Sequence, residues 1–202
     1  MISQENYDIL KEKYGDASSW AVWNTDYADS KPSRNINDLS VFDSPNLSEL
    51  NTSFVFVGLN RSGKPKDGNA KKKPDKPKDP WFNFHAGRND FKLRYALQGT
   101  RYWGSYITDA IKDYQETDSG EVEKTLKSNP ERVDENLKGL REELELLGGK
   151  PVLVALGYAA EKNLKCMKSE GYEVVRILHP ATFIGKKKYR DKVLKVLDNI
   201  QK

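Results

Sequence analysis

Three short apolar runs stand out from an otherwise polar chain: FVFVGL at 54–59, VLVAL at 152–156 and the run around VVRIL at 174–178. Runs of this length without a regular polar face fit strands buried on both sides of a sheet. They predict strands over 53–60, 151–157 and 172–180, the last broken by Pro180. A shorter strand is predicted around Tyr106–Thr108, within 103–113. Between them the period changes to that of a helix. In 128–149, Val133, Leu137, Leu140, Leu144 and Leu147 fall on one stripe, Pro130 suits the first turn, and Gly148 and Gly149 end the pattern. Residues 158–171 read as a helix stopped by Gly171, and 186–202 as a terminal helix with Tyr189, Val193, Val196, Leu197 and Ile200 inward. Residues 91–98 suggest a helical turn, and 114–127 a charged loop.

At the N-terminus, 3–13 reads as a short helix capped by Ser3, with Tyr7 and Leu10 on one face. Trp20 and Trp23 follow, then a long polar stretch over 24–50. Strands alternating with helices predict a three-layer α/β/α domain over 51–202, with a mainly parallel sheet of about four strands. Residues 1–50 are expected to form a helix and arm that pack their tryptophans on it.

A chain of 202 residues suits one domain with such an arm. No apolar run approaches the ~18 residues of a membrane span, and MISQENYDIL lacks the basic start and apolar core of a secretory signal. One cysteine, Cys166, and two histidines, His85 and His179, exclude a disulfide framework and a four-cysteine cluster, and make a structural zinc site a poor fit. The expectation is a reduced, cytoplasmic, monomeric protein with no membrane partner and no cofactor.

Charge adds a second feature. The net charge is +4, but residues 61–81 alone hold eight basic residues against three acids. The rest of the chain is close to neutral. Arg61, Lys64, Lys71, Lys72 and Lys73 belong to this Pro- and Gly-rich stretch, and Lys186, Lys187 and Lys188 form a smaller cluster. Both are candidate contacts for a polyanion such as DNA, single- or double-stranded. Both are also compatible with plain solvated segments.

In a parallel α/β sheet, ligands sit beyond the carboxyl ends of the strands. The predicted ends carry Gly58–Leu59–Asn60, Thr108–Asp109, Gly157–Tyr158 and His179–Pro180. Gly58 to Lys64 fits G-x-x-x-x-G-K after a strand, but Pro65 stands where a phosphate loop needs Ser or Thr and the start of a helix. Nucleotide triphosphate hydrolysis is therefore not expected.

These strand-end motifs resemble the uracil-DNA glycosylase superfamily over about residues 53–200. GLN at 58–60 is similar to the G-[IL]-N-P-G motif of its mismatch-specific branch, with Arg61 and Ser62 in place of Pro-Gly. His179-Pro180-Ala181-Thr182 is similar to its late H-P-S motif, YITDAIK at 106–112 to a middle YITNVVK element, and LVALGYAAEKNL to its penultimate strand–helix unit. The resemblance implies hydrolysis of the N-glycosidic bond of a flipped, damaged or mismatched base. In that reading Asn60 orients water and His179 stabilises the leaving base. Gly58 and Asp109 lie at the base, and an aromatic among Trp81, Phe82 and Phe84 stacks on it. Phe183 and Ile184 wedge into DNA, and the basic residues named above take phosphates.

Asp109 departs from the Asn that reads uracil in relatives; an ionised Asp only accepts hydrogen bonds and repels O4. Asn60 is not a base, and the single cysteine cannot carry the cluster of the iron–sulfur branches. The same residues also have structural readings: His179 bonded to a loop carbonyl, Asn60 a turn residue, His85 and the WFNF aromatics core, Lys186–Lys188 a solvated helix face. The alternative function is a catalytically silent relative that binds nucleic acid, a nucleobase or a nucleotide.

If the 61–78 stretch binds phosphates, replacing Lys71, Lys72 and Lys73 together by Ala weakens DNA binding alike for all sequences. It also lowers the log–log salt slope by about one unit per lost contact, which titrations at several salt concentrations measure.

Overall fold

The computed structural model describes residues 1–24, 38–61, 79–85 and 89–200. Its elements, in chain order, are α1 (Gln4–Tyr14), β1 (Ser18–Trp20), β2 (Asn51–Asn60), α2 (Asp90–Leu97), β3 (Ser105–Ile111), α3 (Ser119–Ser128), α4 (Pro130–Leu147), β4 (Val152–Leu156), α5 (Tyr158–Asn163), α6 (Lys165–Ser169), β5 (Val174–Ile177) and α7 (Lys186–Leu197). The sheet has five strands in the order β1-β3-β2-β4-β5. β3, β2, β4 and β5 run parallel, and β1 is antiparallel on the β3 edge.

The apolar runs explain the layers. Along β2, Val55, Val57 and Leu59 enter the core on one face, and Phe54 and Phe56 enter the core on the other. The first face is covered by α1, α3, α4, α5 and α6, through Tyr7, Leu10, Val122, Leu137, Leu140, Ala160 and Met167. The second is covered by α2 and α7, through Leu93, Leu97, Tyr189, Val193 and Leu197. A strand with no polar face has to be covered twice, and right-handed crossovers achieve this when the chain leaves β2 first towards β3 and then returns across to β4 and β5. The direction therefore reverses between β2 and β4, and in open α/β sheets ligands bind beyond the carboxyl ends of the strands at such a reversal.

Several predicted elements differ in detail. Residues 18–20 form a fifth strand, pairing Ser18 with Thr108 and Trp20 with Tyr106. Three residues are too few for alternation to reveal a strand; pairing with β3 makes it one. The short strand expected at Tyr106–Thr108 runs over seven residues, all buried. The stretch 114–127 is not all loop: α3 occupies most of it, capped by the Asp118 side chain, which accepts from Gly120 N and Glu121 N. It buries only Val122 and Leu126, a pair too sparse to show a period. The helix expected over 158–171 is two short pieces, α5 and α6.

A buried polar cluster braces the carboxyl end of β3 from the α4 side. Glu143 Oε1 accepts from Tyr106 OH at 2.9 Å and from Thr108 Oγ1 at 2.8 Å. Its Oε2 pairs with Lys112 Nζ at 2.7 Å, and Lys112 also donates to the Asp109 carbonyl at 2.6 Å. Burial pushes the Glu143 carboxyl pKa up, while Lys112, Thr108 and Tyr106 oppose that.

Lys112→Met leaves Glu143 buried without its cation and costs about 3–5 kcal/mol at neutral pH. A carboxyl whose folded pKa is raised favours folding below its unfolded pKa and loses that contribution as pH rises through the folded value. The deficit of the variant therefore shrinks on acidification, and urea unfolding at pH 7 and pH 5 measures it.

Candidate functional site

The β2 and β3 ends come together because Gly58 pairs with Asp109 in the parallel register. Gly58 is required by this approach: a Cβ there would collide with Asp109 Oδ1 and lie 3.5 Å from Phe84 Cζ. Asp109 is 2% exposed. Its Oδ2 accepts from Asn83 Nδ2 at 2.9 Å, and Asn83 Nδ2 also donates to the Ala17 carbonyl at 2.8 Å. With both amide hydrogens used, Asn83 holds the carboxyl in one orientation.

Burial raises the Asp109 pKa to about 7. The Asn83 bond, Lys112 and Arg61 pull it down, and Glu143 adds a smaller push upward. Near neutral pH, Asp109 therefore exists both as a donor-bearing acid and as an acceptor.

The segment 81–85 carries Asn83 and Phe84 into place with an unusual backbone. Trp81 and Phe84 have φ of 69° and 66°, in the left-handed region that bulky residues avoid. Such residues cost ~1–3 kcal/mol each and persist where the surroundings over-determine them. Here Trp81 N donates to Gly15 O at 2.7 Å, Ser19 Oγ to Trp81 O at 2.9 Å, and Trp81 Nε1 to Tyr7 OH at 3.0 Å.

These bonds also decide what the aromatics do. Trp81 is fully buried among Tyr7, Trp20, Phe42 and Tyr106, in the core opposite to that of Phe84. Phe82 lines a cavity of about 250 Å³ with Trp81, Phe42 and Lys11, away from Asp109. Of the three expected stacking aromatics, only Phe84 reaches Asp109 and Gly58. His85 is buried against Trp23 and Phe42, with Nε2 3.3 Å from the Trp20 carbonyl.

Asn60 ends β2. Its Nδ2 lies 2.9 Å from Glu116 O, 3.1 Å from Arg61 O and 3.3 Å from Tyr114 O, so the amide ties the strand end to the 114–116 loop. Oδ1 has no hydrogen-bond partner among the described residues and remains an acceptor. Arg61 follows, with Nη1 shut off from solvent and without a hydrogen-bond partner among the described residues.

His179 lies beyond β5, packed on Gly157 beyond β4: a Cβ on Gly157 would sit 3.2 Å from His179 Cβ. Gly157 has φ of 95°, a second reason for glycine. Ala181 N donates to His179 Nδ1 at 3.1 Å, which places the proton of the neutral ring on Nε2. The side chain keeps a solvent-exposed surface, and the protein around it lowers its pKa and favours the neutral ring.

The loop after His179 is anchored from α2, where buried Lys92 donates to Thr182 O at 2.8 Å. Ala181, Phe183, Ile184 and Gly185 line a cavity of about 540 Å³ with Asn89 and Lys92. Phe183 is fully exposed. Lys187 and Lys188 are exposed at the start of α7, whereas Lys186 Nζ lies 4.5 Å over the Tyr95 ring. Lys64, Lys71, Lys72 and Lys73 lie outside the described residues.

Gly58, Phe84 and Asp109 are thus in direct proximity, with Arg61 near enough to act on the Asp109 charge. Asn60 and His179 share the same edge of the sheet. Sequence reading missed Asn83 and Lys112: Asn83 sits between two phenylalanines in an aperiodic stretch, and Lys112 looks like one surface lysine among many. Among the described residues no group of three or more His, Cys, Asp or Glu could hold a metal, and no helix is long and apolar enough to cross a membrane. Compared with known proteins, the chain matches no family model and no curated protein sequence.

Trp81→Ala empties a packed core site and destabilises the fold by about 3–5 kcal/mol, as read from the urea midpoint. A ligand-stacking ring would instead leave the midpoint almost unchanged.

Proposed function

We propose that the protein is a base-excision glycosylase of the uracil-DNA glycosylase type, hydrolysing the N-glycosidic bond of a damaged or mismatched base flipped out of DNA. The observation that carries this reading is that a buried carboxyl over a glycine beside Phe84, and a neutral histidine donor, both lie on the carboxyl edge of one sheet. Water adds to the sugar C1′, the C1′–N bond breaks, and the base leaves with the bonding electrons and takes up a proton. Each step has a group suited to it. Asn60 Oδ1 accepts from the water and faces the cationic sugar. His179 Nε2–H donates to the leaving base, a contribution of ~3 kcal/mol in comparable oxyanion sites. Phe84 supplies an aromatic surface for the extruded ring. Exposed Phe183, with Lys187 and Lys188 close by in sequence, suits a duplex from which a base has been displaced.

A second reading, binding of a base or nucleic acid without cleavage, is favoured by one observation: an amide, not a carboxylate, ends β2, and its nitrogen is committed to backbone carbonyls.

Base release from oligonucleotides carrying a panel of lesions, run beside DNA-binding titrations, separates the two. Under the first reading His179→Ala lowers release about 10²–10³-fold with DNA binding retained. Binding without release of any base by the wild type establishes the second and overturns the first.

A further inference from the structure

Lys92, in the first turn of α2, is only 8% exposed. Its Nζ donates to the Thr182 carbonyl at 2.8 Å, and among the described residues no carboxylate pairs with it. A lysine is seldom buried without an acid beside it, because taking an ammonium out of water is costly unless an anion meets it. The carbonyl it holds also accepts from Ile184 N at 2.8 Å. Both lone pairs of that oxygen are thus engaged, and two ammonium hydrogens are left over.

The ammonium lies at the wall of the cavity of about 540 Å³. Thr182 sits between Ala181 and Phe183, and these two line the cavity with Asn89, Ile184, Gly185 and Lys92 itself. The Asn89 side chain does not cap α2 and has no hydrogen-bond partner among the described residues, so its amide is a second free donor. Gly185 opens α7 without a side-chain cap and with no acid in the first turn, which further favours negative charge here. The remaining walls are the apolar side chains of Ala181, Phe183 and Ile184.

We propose that this cavity is a binding site for a small organic acid with an apolar body, its carboxylate on Lys92 Nζ and the Asn89 amide, its body against Phe183 and Ile184. The site shares no residue with Gly58, Phe84 and Asp109 and does not rest on the base-excision reading. Charge decides the class. One ammonium balances one negative charge, whereas the dianion of a phosphate monoester leaves a charge uncompensated beside apolar walls. A phosphodiester carries a single charge but sets polar sugars on both sides of it, where these walls offer no polar side chain. The volume suits a ligand of drug-like size or smaller.

Benzoate is the probe, and benzamide, of the same shape without the charge, is its control. Titrated at about pH 7 into the 15N-labelled full chain, benzoate shifts the amide signals of Thr182, Phe183, Ile184 and Gly185 saturably, and benzamide binds about tenfold more weakly. Lys92→Met keeps an apolar stem of similar length and lowers benzoate affinity to that of benzamide. Phe183→Ala, at a fully exposed position, weakens both ligands. Equal affinities of benzoate and benzamide for the wild type overturn the proposal, and that comparison needs no variant to fold. So does benzoate binding that Lys92→Met leaves unchanged. A short oligonucleotide that shifts these signals where benzoate does not makes the anion a phosphodiester and overturns the class. No readout involves base release, so the excision reading and this site stand or fall separately.

Discussion

Everything at the candidate site depends on β2 being apolar on both faces. Phe54 and Phe56 point one way, Val55, Val57 and Leu59 the other, and all five are buried. Each buried side chain of this size contributes ~1.5–3 kcal/mol through removal from water. That gain is realised only if helices cover both faces, which places β2 in the centre of the sheet, with the chain passing first to β3 on one side and then back across to β4 on the other. The reversal of strand order between β2 and β4 follows from the same covering.

β3 shows how polar groups are accommodated beside such a strand. Thr108 and Asp109 are adjacent and therefore face opposite sides of the sheet. On one side Thr108 joins Tyr106, Glu143 and Lys112 in a closed set of bonds. On the other, Asp109 is held by Asn83 through one oxygen only. Lys112 ties this set to the strand itself: its ammonium pairs with Glu143 and donates to the main-chain carbonyl of Asp109. The first side serves to fix β3; on the second, Oδ1 keeps its hydrogen-bonding capacity at the Gly58 end of β2.

The 81–85 segment is the costliest piece of backbone near the site. Two bulky residues in left-handed conformation are tolerated because Trp81 is bonded at its amide, its carbonyl and its indole, and packed among four rings. The indole acts as the anchor from which Asn83 and Phe84 are presented to Asp109. One aromatic of the WFNF group thus serves the core so that another can lie beside Gly58.

The layered architecture was legible in the chain because it depends on local periodicity: apolar runs of five to eight residues for β2, β4 and β5, and one clean stripe for α4. The runs also put Asn60 at the end of β2 and His179 just beyond β5, whereas Asp109, expected at a strand end, lies inside β3, which continues to Ile111. What the chain alone left undecided were features made by residues far apart in sequence. β1 is a strand only because β3 lies beside it, and α3 shows two inward residues because its other faces meet water. Trp81, Phe82 and Phe84 are alike in composition and separated by one or two positions. Only the packing around Tyr7, Phe42 and Asp109 sends them to different places. The state of Asp109 is likewise a tertiary property. Its identity limits it to a carboxyl, but burial, the Asn83 bond and the charges of Lys112, Arg61 and Glu143 decide how readily it holds a proton, because desolvation and Coulomb energies depend on what surrounds a group in space.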